Sequence, residues 1–285
     1  MVVRRVTLSG CGIRLTGLLA EPDTPPRALV LALHGGGMMA DYFHGRAHPD
    51  LSLLSLGSGL GYSVLALDRP GYGGSAEALP TGQSLLDQTA TVYAALDHFG
   101  RHHDTGAGVF VLGHSFGSKL ALHLAADARG DQLLGIDASG AVYRYAVDVD
   151  PNDSTPTPGP GGNARDLFWG SEDLYPPGTF ERGVRPSAPV PDRESSESRE
   201  WSRILPGVAA GVRVPLQFSV AEHEAWWQTG DDALAEWRAL FTSVPHLVIR
   251  RQPRAGHNIS LGWAARPYHL SALAFAAQCS LARTV

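Results

Sequence analysis

The sequence has little cysteine and no long apolar run, and each shortage excludes a class of protein. Its 285 residues include two cysteines, Cys11 and Cys279, which lie near opposite ends and lack the spacing of zinc ligands. We therefore expect free thiols instead of a disulfide framework, and a cytoplasmic location. A membrane-spanning helix needs roughly eighteen or more consecutive apolar residues, which no segment offers, and the first residues do not resemble a signal peptide.

Positive charge is also scarce. Lys119 is the single lysine, and 23 basic against 28 acidic side chains give a formal net charge of −5. Proteins that bind nucleic acid usually carry a basic excess, because contacts to the phosphate backbone dominate their affinity. The sequence therefore predicts neither a nucleic-acid partner nor a membrane partner, and we expect no metal and no cofactor.

What is present is the composition of an ordinary globular protein, with 44% hydrophobic and 18% charged residues. Short apolar runs that fit buried strands alternate with segments of helical spacing. This order is typical of a doubly wound, mostly parallel α/β sheet. Strands are predicted over residues 4–8, 13–21, 28–33, 62–67, 109–112, 133–138, 214–220 and 246–250, and helices over 84–99, 116–128, 231–242 and 267–281.

The regular pattern breaks between residues 141 and 206. This inserted segment is rich in Pro, Gly, Ser and charge, above all at 156–162, but it contains more aromatic side chains than a linker would. We predict that it forms a cap or lid between two strands of the core. The chain then divides into a first part of the core at 1–140, the inserted segment at 141–206 and a second part of the core at 207–285.

A Gly-x-Ser-x-Gly motif follows the predicted strand 109–112 and precedes a predicted helix. Its serine is Ser115, flanked by Gly113 and Gly117. At such a sharp turn from strand to helix the serine hydroxyl is exposed above the sheet, and only small neighbours fit beside it. The free N–H groups of the helix N-terminus favour negative charge there. We predict that Ser115 is a nucleophile.

A serine hydroxyl needs a base to accept its proton, and the base needs an acid to orient it. His257 follows the last predicted strand, where a loop could bring its imidazole to Ser115. Among the residues after the strand 214–220, Glu224 is the predicted acid. Glu222 stays open as an alternative, and so does Asp137, which lies near the end of the predicted strand 133–138.

The oxyanion of an acyl transfer needs two backbone N–H donors. One is expected from Phe116, which follows the nucleophile. The other is expected from the glycines after the strand 28–33, with Gly36 favoured over Gly37. Substrate-pocket side chains are predicted at Trp169, Tyr175 and Trp226. Lys119, one helical turn after Ser115, is predicted to pack on a helix face.

Four motifs of the chain resemble those of the α/β-hydrolase superfamily in order and approximate spacing. They are His34-Gly35-Gly36, Asp68-Arg69-Pro70-Gly71-Tyr72-Gly73-Gly74-Ser75, Gly113-His114-Ser115-Phe116-Gly117 and Gly256-His257. The resemblance implies the fold, and it implies that the turn at Asp68 and Arg69 is structural. The family includes esterases, lipases, thioesterases, lactonases, epoxide hydrolases and acyltransferases, with a few lyases and non-catalytic members. The acid departs from the commoner pattern, because here it is a glutamate in a turn that begins with Ala221.

A serine at this turn favours acyl chemistry. We expect a serine hydrolase that cleaves a carboxylic ester, thioester or lactone of a hydrophobic small molecule through an acyl-serine intermediate. Two alternatives stay open. One is an acyltransferase or cyclase of a biosynthetic pathway, which passes the same acyl group to an alcohol or amine in a site that keeps out water. The other is a non-catalytic binding protein, which is disfavoured because the nucleophile, the base and a candidate acid are all present.

Overall fold

The computed structural model describes residues 2–147, 164–181 and 186–283. The Pro-Gly stretch at 156–162 lies outside them. Within these ranges the chain forms one eight-stranded sheet. The strands are β1 Arg4–Gly10, β2 Ile13–Ala20, β3 Leu29–Leu33, β4 Ser63–Leu67, β5 Val109–His114, β6 Gly135–Ser139, β7 Leu216–His223 and β8 Leu247–Gly256.

The sheet has the strand order β1-β2-β4-β3-β5-β6-β7-β8. β2 pairs antiparallel with both β1 and β4, and every pair from β4 to β8 is parallel. Ligand sites of open parallel sheets lie beyond the carboxyl ends of the strands, where the strand order reverses. Here β3 and β5 are the central neighbours, and their carboxyl ends lead directly into the His34 and Ser115 motifs.

Helices cover both faces of the sheet. They are α1 Leu53–Gly59, α2 Leu85–Gly100, α3 Phe116–Ala126, α4 Ala164–Trp169, α5 Asp192–Gly211, α6 Asp231–Ala239 and α7 Ala265–Ala282. Alternate residues of β3 enter different cores: Leu31 and Leu33 pack with α2, α3 and α5, whereas Val30 and Ala32 pack with α1 and α7. Because both faces of β3 are buried, this strand is apolar throughout.

The doubly wound sheet predicted from the sequence is confirmed. Each predicted strand is present, but β7 and β8 extend beyond their predicted ends to His223 and Gly256. These extensions pair with each other across an irregularity between Ala221 and His223. These extensions were not predicted because they contain polar side chains, and the strands were predicted from apolar runs.

The inserted segment is more regular than its composition suggests. Of its described residues, α4 and most of α5 are helical, and α5 continues past Pro206 to Gly211. The predicted boundary at 206/207 therefore falls inside a helix. Proline removes a single backbone hydrogen bond, and the helix is held by the burial of Trp201, Leu205 and Ala209 on one face.

Candidate active site

Ser115 occupies a strained turn between β5 and α3. Its φ of 53° and ψ of −117° lie outside the usual regions for a residue with a side chain. The flanking glycines are required by close approach: a Cβ on Gly113 would lie 2.5 Å from the Gly117 carbonyl oxygen, and a Cβ on Gly117 would lie 2.0 Å from that of Leu33. The Gly-x-Ser-x-Gly spacing therefore has a steric cause in this fold.

His257 lies directly after β8, and its imidazole contacts the Ser115 hydroxyl. Its Nε2 lies 3.1 Å from Ser115 Oγ, and its Nδ1 lies 2.8 Å from Glu224 Oε2. A carboxylate accepts hydrogen bonds, so Nδ1 carries the proton and Nε2 is left to accept the serine proton. The geometry is that of a nucleophile, a base and an acid in a hydrogen-bonded row.

Glu224 is fixed as well as buried. Its side chain is 2% exposed, and its Oε1 accepts a hydrogen bond from the Trp226 N–H at 3.0 Å. The irregularity at the end of β7 and a turn in which the Glu224 N–H donates to the Ala221 carbonyl direct the side chain toward His257. Of the three acid candidates, this is the one hydrogen-bonded to the imidazole.

The other two candidates lie elsewhere. The Glu222 side chain is 52% exposed and accepts the Arg254 N–H at 2.7 Å. Asp137 is fully buried in the sheet, where Gln217, Ser219 and Tyr268 donate hydrogen bonds to its carboxylate. Burial raises the pKa of Asp137 to about 7, and the three hydrogen bonds oppose that rise.

The two predicted oxyanion donors face the same space. Phe116 is the first residue of α3, so its N–H has no carbonyl acceptor within the helix. The Gly37 N–H donates to the Tyr72 hydroxyl at 3.0 Å. Both glycines line the same cavity as Ser115, but among the described residues the Gly36 N–H has no acceptor. Gly36 is therefore better placed than Gly37 to receive an oxyanion.

The loop that carries Gly36 is held by an arginine. Arg69 is fully buried and donates to the backbone carbonyls of His34, at 2.7 Å, and Gly35, at 3.2 Å. The same guanidinium forms a bidentate ion pair with Glu194 of α5, and Glu194 also accepts from Tyr72 at 2.8 Å. Arg69 therefore has the structural role expected for its turn, but its ion pair with Glu194 of the inserted segment was not predicted from the sequence.

Two other histidines, His34 and His114, are buried near Ser115. His114 stacks on Tyr42, with ring centroids 4.7 Å apart, and lies 4.9 Å from the His257 ring. Burial, followed by the neighbouring His257 and His34, lowers the pKa of His114 well below its usual value. Burial, followed by Arg69, does the same to the pKa of His34. Of these three histidines, His257 is the one that contacts both Ser115 and a carboxylate.

A cavity of about 350 Å³ opens onto Ser115. Its walls come from the core and from the inserted segment, and they are mostly apolar, with a few charged side chains. The described residues that line it include Gly36, Met38, Ser115, Phe116, Lys119, Tyr145, Phe168, Trp169, Val190, Glu194, Ser198, Arg199, Trp226, Trp227 and His257.

Two of the three predicted pocket aromatics lie in the cavity wall, Trp169 and Trp226. Phe168, next to Trp169, stacks on Trp226 at 4.8 Å and approaches the His257 ring edge-on at 6.2 Å. Tyr175 does not line the cavity. It is 4% exposed and packs edge-on against Trp169, so it supports a wall residue from behind.

Within residues 2–147, 164–181 and 186–283, no three His, Cys, Asp or Glu side chains are grouped closely enough to hold a metal ion. None of the helices described has both the length and the apolar character needed to cross a membrane.

Comparison with known proteins gives one family. Residues 28–188, more than half of the chain, match the family model described as alpha/beta hydrolase fold. A search of curated proteins gave no match.

Solved structures of similar fold have low sequence identity. A thermostable carboxyl esterase from Bacillus coagulans is 16% identical, with a TM-score of 0.72 over 98% of this chain and 99% of that one. A monoacylglycerol lipase from Paleococcus ferrophilus is 17% identical, with a TM-score of 0.66 over 98% and 100% of the two chains. A laboratory-evolved potato epoxide hydrolase is 18% identical, with a TM-score of 0.64 over 96% and 98%.

Proposed function

Because the chain belongs to the α/β-hydrolase family, we propose that it is a serine hydrolase that cleaves a carboxylic ester, thioester or lactone through an acyl-serine intermediate. The observation that carries the proposal is the hydrogen-bonded row of Ser115, His257 and Glu224, of which Ser115 and His257 line a mostly apolar cavity. The solved structures of similar fold include a carboxyl esterase and a lipase, which is consistent with ester hydrolysis.

The proposed reaction begins when Ser115 Oγ attacks the carbonyl carbon and His257 Nε2 takes its proton. Glu224 holds the imidazole in the required tautomer and stabilises the imidazolium. The negative charge that develops on the carbonyl oxygen is bound by the N–H groups of Phe116 and Gly36. The imidazolium then protonates the leaving alcohol or thiol, and an acyl-serine remains. Water, activated by the same histidine, hydrolyses it.

The proposed substrate is a hydrophobic small molecule. A cavity of about 350 Å³ lies within the usual range for small-molecule sites, and aromatic side chains form much of its wall. Tyr145, Phe168 and Trp169 come from the inserted segment, which supports its proposed role as a cap. A covered site benefits acyl transfer, because exclusion of bulk water strengthens the electrostatic stabilisation of the oxyanion.

The test of the nucleophile is Ser115→Ala, with a fluorophosphonate probe and a panel of para-nitrophenyl alkanoates and thioesters. We expect labelling to disappear and kcat to fall by about a million-fold, while circular dichroism shows an intact fold. The matched control is Ser171→Ala, since Ser171 is exposed and lies outside the cavity wall. Normal turnover by Ser115→Ala, or loss of labelling in the control alone, would contradict the proposal.

A further inference from the structure

Lys119 is a buried charged residue that the proposed reaction does not use. It lies one turn of α3 after Ser115, and the Lys119 N–H donates to the Ser115 carbonyl at 3.3 Å. Its side chain lines the same cavity as the nucleophile, although the residue is 3% exposed. A substrate held at Ser115 therefore lies within the same enclosed space as the lysine ammonium.

The ammonium has unfilled hydrogen-bonding capacity. Nζ lies 5.3–5.6 Å from the ring centroids of Phe116, Trp201 and Trp227, and 3.3 Å from Ser198 Oγ. A lysine ammonium has three donors, and Ser198 is the one acceptor for them in the described parts of the chain. It forms no ion pair with any described carboxylate, in contrast to the buried Arg69.

The charges on the cavity wall do not balance. Among the described residues that line it, Lys119 and Arg199 are cationic and Glu194 is anionic. Glu194 is already occupied, because Arg69 and Tyr72 both donate to its carboxylate. Among the described residues, the cavity wall therefore carries an excess of positive charge and no free carboxylate to offset it.

Burial of the Lys119 ammonium reduces the stability of the folded protein, because the charge loses its contact with water. Burial lowers its pKa to about 7, although Glu194 and Glu197 act to raise it. An apolar side chain of the same length would fill the space between the aromatic rings without that desolvation. A buried ammonium that has no carboxylate partner among the described residues and faces a ligand cavity is more readily explained by binding than by packing.

We propose that Lys119 binds a carboxylate of the substrate, so that the preferred substrates are esters or thioesters that also carry a free carboxyl group. This inference rests on the proposed hydrolase function, because it assigns a second anchoring point in the same cavity. The oxyanion donors hold the reacting carbonyl, and the Lys119 ammonium holds the carboxylate at another point of the same cavity wall. The aromatic walls shield this ion pair from water, which strengthens it.

The test compares matched pairs of esters in wild type and Lys119→Met, in which methionine keeps the length and removes the charge. One pair is para-nitrophenyl heptanoate and the para-nitrophenyl half-ester of adipate. The other is phenyl heptanoate and para-carboxyphenyl heptanoate, which moves the carboxylate to the leaving group. We expect the ratio of kcat/KM, carboxylate-bearing over neutral, to fall on the order of 100-fold in Lys119→Met for at least one pair, as for loss of a buried charge-assisted hydrogen bond.

Two control variants separate Lys119 from general charge effects. Arg203→Met removes an exposed cation of α5 that is paired with Glu200, and should leave both ratios unchanged. Arg199→Met removes the other cation of the cavity wall, and should change the ratios less than Lys119→Met does. A larger effect at Arg199 would overturn the assignment to Lys119.

Binding gives a readout that does not depend on turnover. Monomethyl adipate is titrated calorimetrically into Ser115→Ala and into Ser115→Ala/Lys119→Met, and we expect the second variant to bind about 100-fold more weakly. Equal binding together with unchanged kinetic ratios would overturn the inference, while the hydrolase proposal would stand on the neutral esters. If the wild type hydrolysed none of the esters but bound the carboxylate through Lys119, the hydrolase proposal would fail instead.

Discussion

At the scale of single residues, the identity of the acid has a geometric consequence. Glutamate is one methylene longer than aspartate, and Glu224 uses that length to reach His257 from a turn that follows an irregular end of β7. The Trp226 N–H holds the second carboxylate oxygen and fixes the direction of the side chain. The length of the Glu224 side chain therefore suits the distance between its turn and His257.

The role of Glu224 is tested by a pair of isosteric variants. Glu224→Gln keeps the size of the side chain but lets an amide donate toward His257, which favours the wrong tautomer, so kcat should fall by about ten-thousand-fold. Glu222→Gln should have little effect, because that carboxylate is half exposed and bound to the Arg254 backbone. Steady-state kinetics on one neutral ester checks both, and the opposite ranking would assign the acid to Glu222.

Sequence alone could place Ser115 and His257 near one another because motif spacing and strand order fix them. It could not choose among Glu224, Glu222 and Asp137, since the choice depends on a local irregularity of β7 and on which carboxylate is already bound elsewhere. Lys119 was expected to pack on a helix face. It does contact rings, but its exposure to the cavity follows from α5 and from the loop with Trp227, neither of which the local pattern reveals.

At the scale of elements, α5 connects the start of the inserted segment with two parts of the core. Trp201 Nε1 donates to the Val142 carbonyl at 2.8 Å, and Glu197 accepts the Leu85 N–H at the start of α2. Together with the Arg69–Glu194 ion pair, these bonds tie the helix to three separate parts of the chain. The buried positions 194, 201, 205 and 209 are helically spaced, and this spacing was the signal that could have identified α5.

The contribution of α4 to the pocket is tested with Trp169→Ala. Loss of a wall side chain removes apolar contact with long acyl chains, so KM should rise about ten-fold or more for decanoate esters and little for acetate esters. The matched control is Trp263→Ala, because Trp263 is 44% exposed and lies outside the cavity wall. An equal change for all chain lengths would count against a substrate-facing α4.

At the scale of the whole molecule, Lys119 links stability to pH. Its pKa falls from 10.5 to about 7 on folding, so between those values the unfolded chain binds more protons than the folded chain. The free energy of unfolding therefore increases as pH rises through that window, and the cost of burying Lys119 is greatest below it. The charges that shift the pKa of Lys119 are Glu194, Glu197 and Arg69. Each of them is already bound to another group: Glu194 and Arg69 to one another, and Glu197 to the Leu85 N–H.

Lys119→Met should therefore be more stable than the wild type at pH 6.5, by about 1–4 kcal/mol in free energy of unfolding. The difference should shrink as pH rises toward 9, by no more than about 1.4 kcal/mol per pH unit. Urea denaturation of both proteins at several pH values measures it. A variant that is less stable throughout, or a gap that does not change with pH, would contradict this account.

The Arg69–Glu194 pair also limits how this protein can be engineered. Replacing the inserted segment with that of another hydrolase would assume that the segment contacts the core at its two junctions alone. Here a graft that omitted the Glu194 carboxylate would leave the Arg69 guanidinium buried without its counter-charge, at a cost of about 3–5 kcal/mol. The same guanidinium binds the carbonyls of His34 and Gly35, so the replacement would disturb the loop that carries Gly36, the proposed oxyanion donor. A chimaera of this scaffold therefore has to carry over a carboxylate at the first turn of α5, whatever pocket it is meant to acquire.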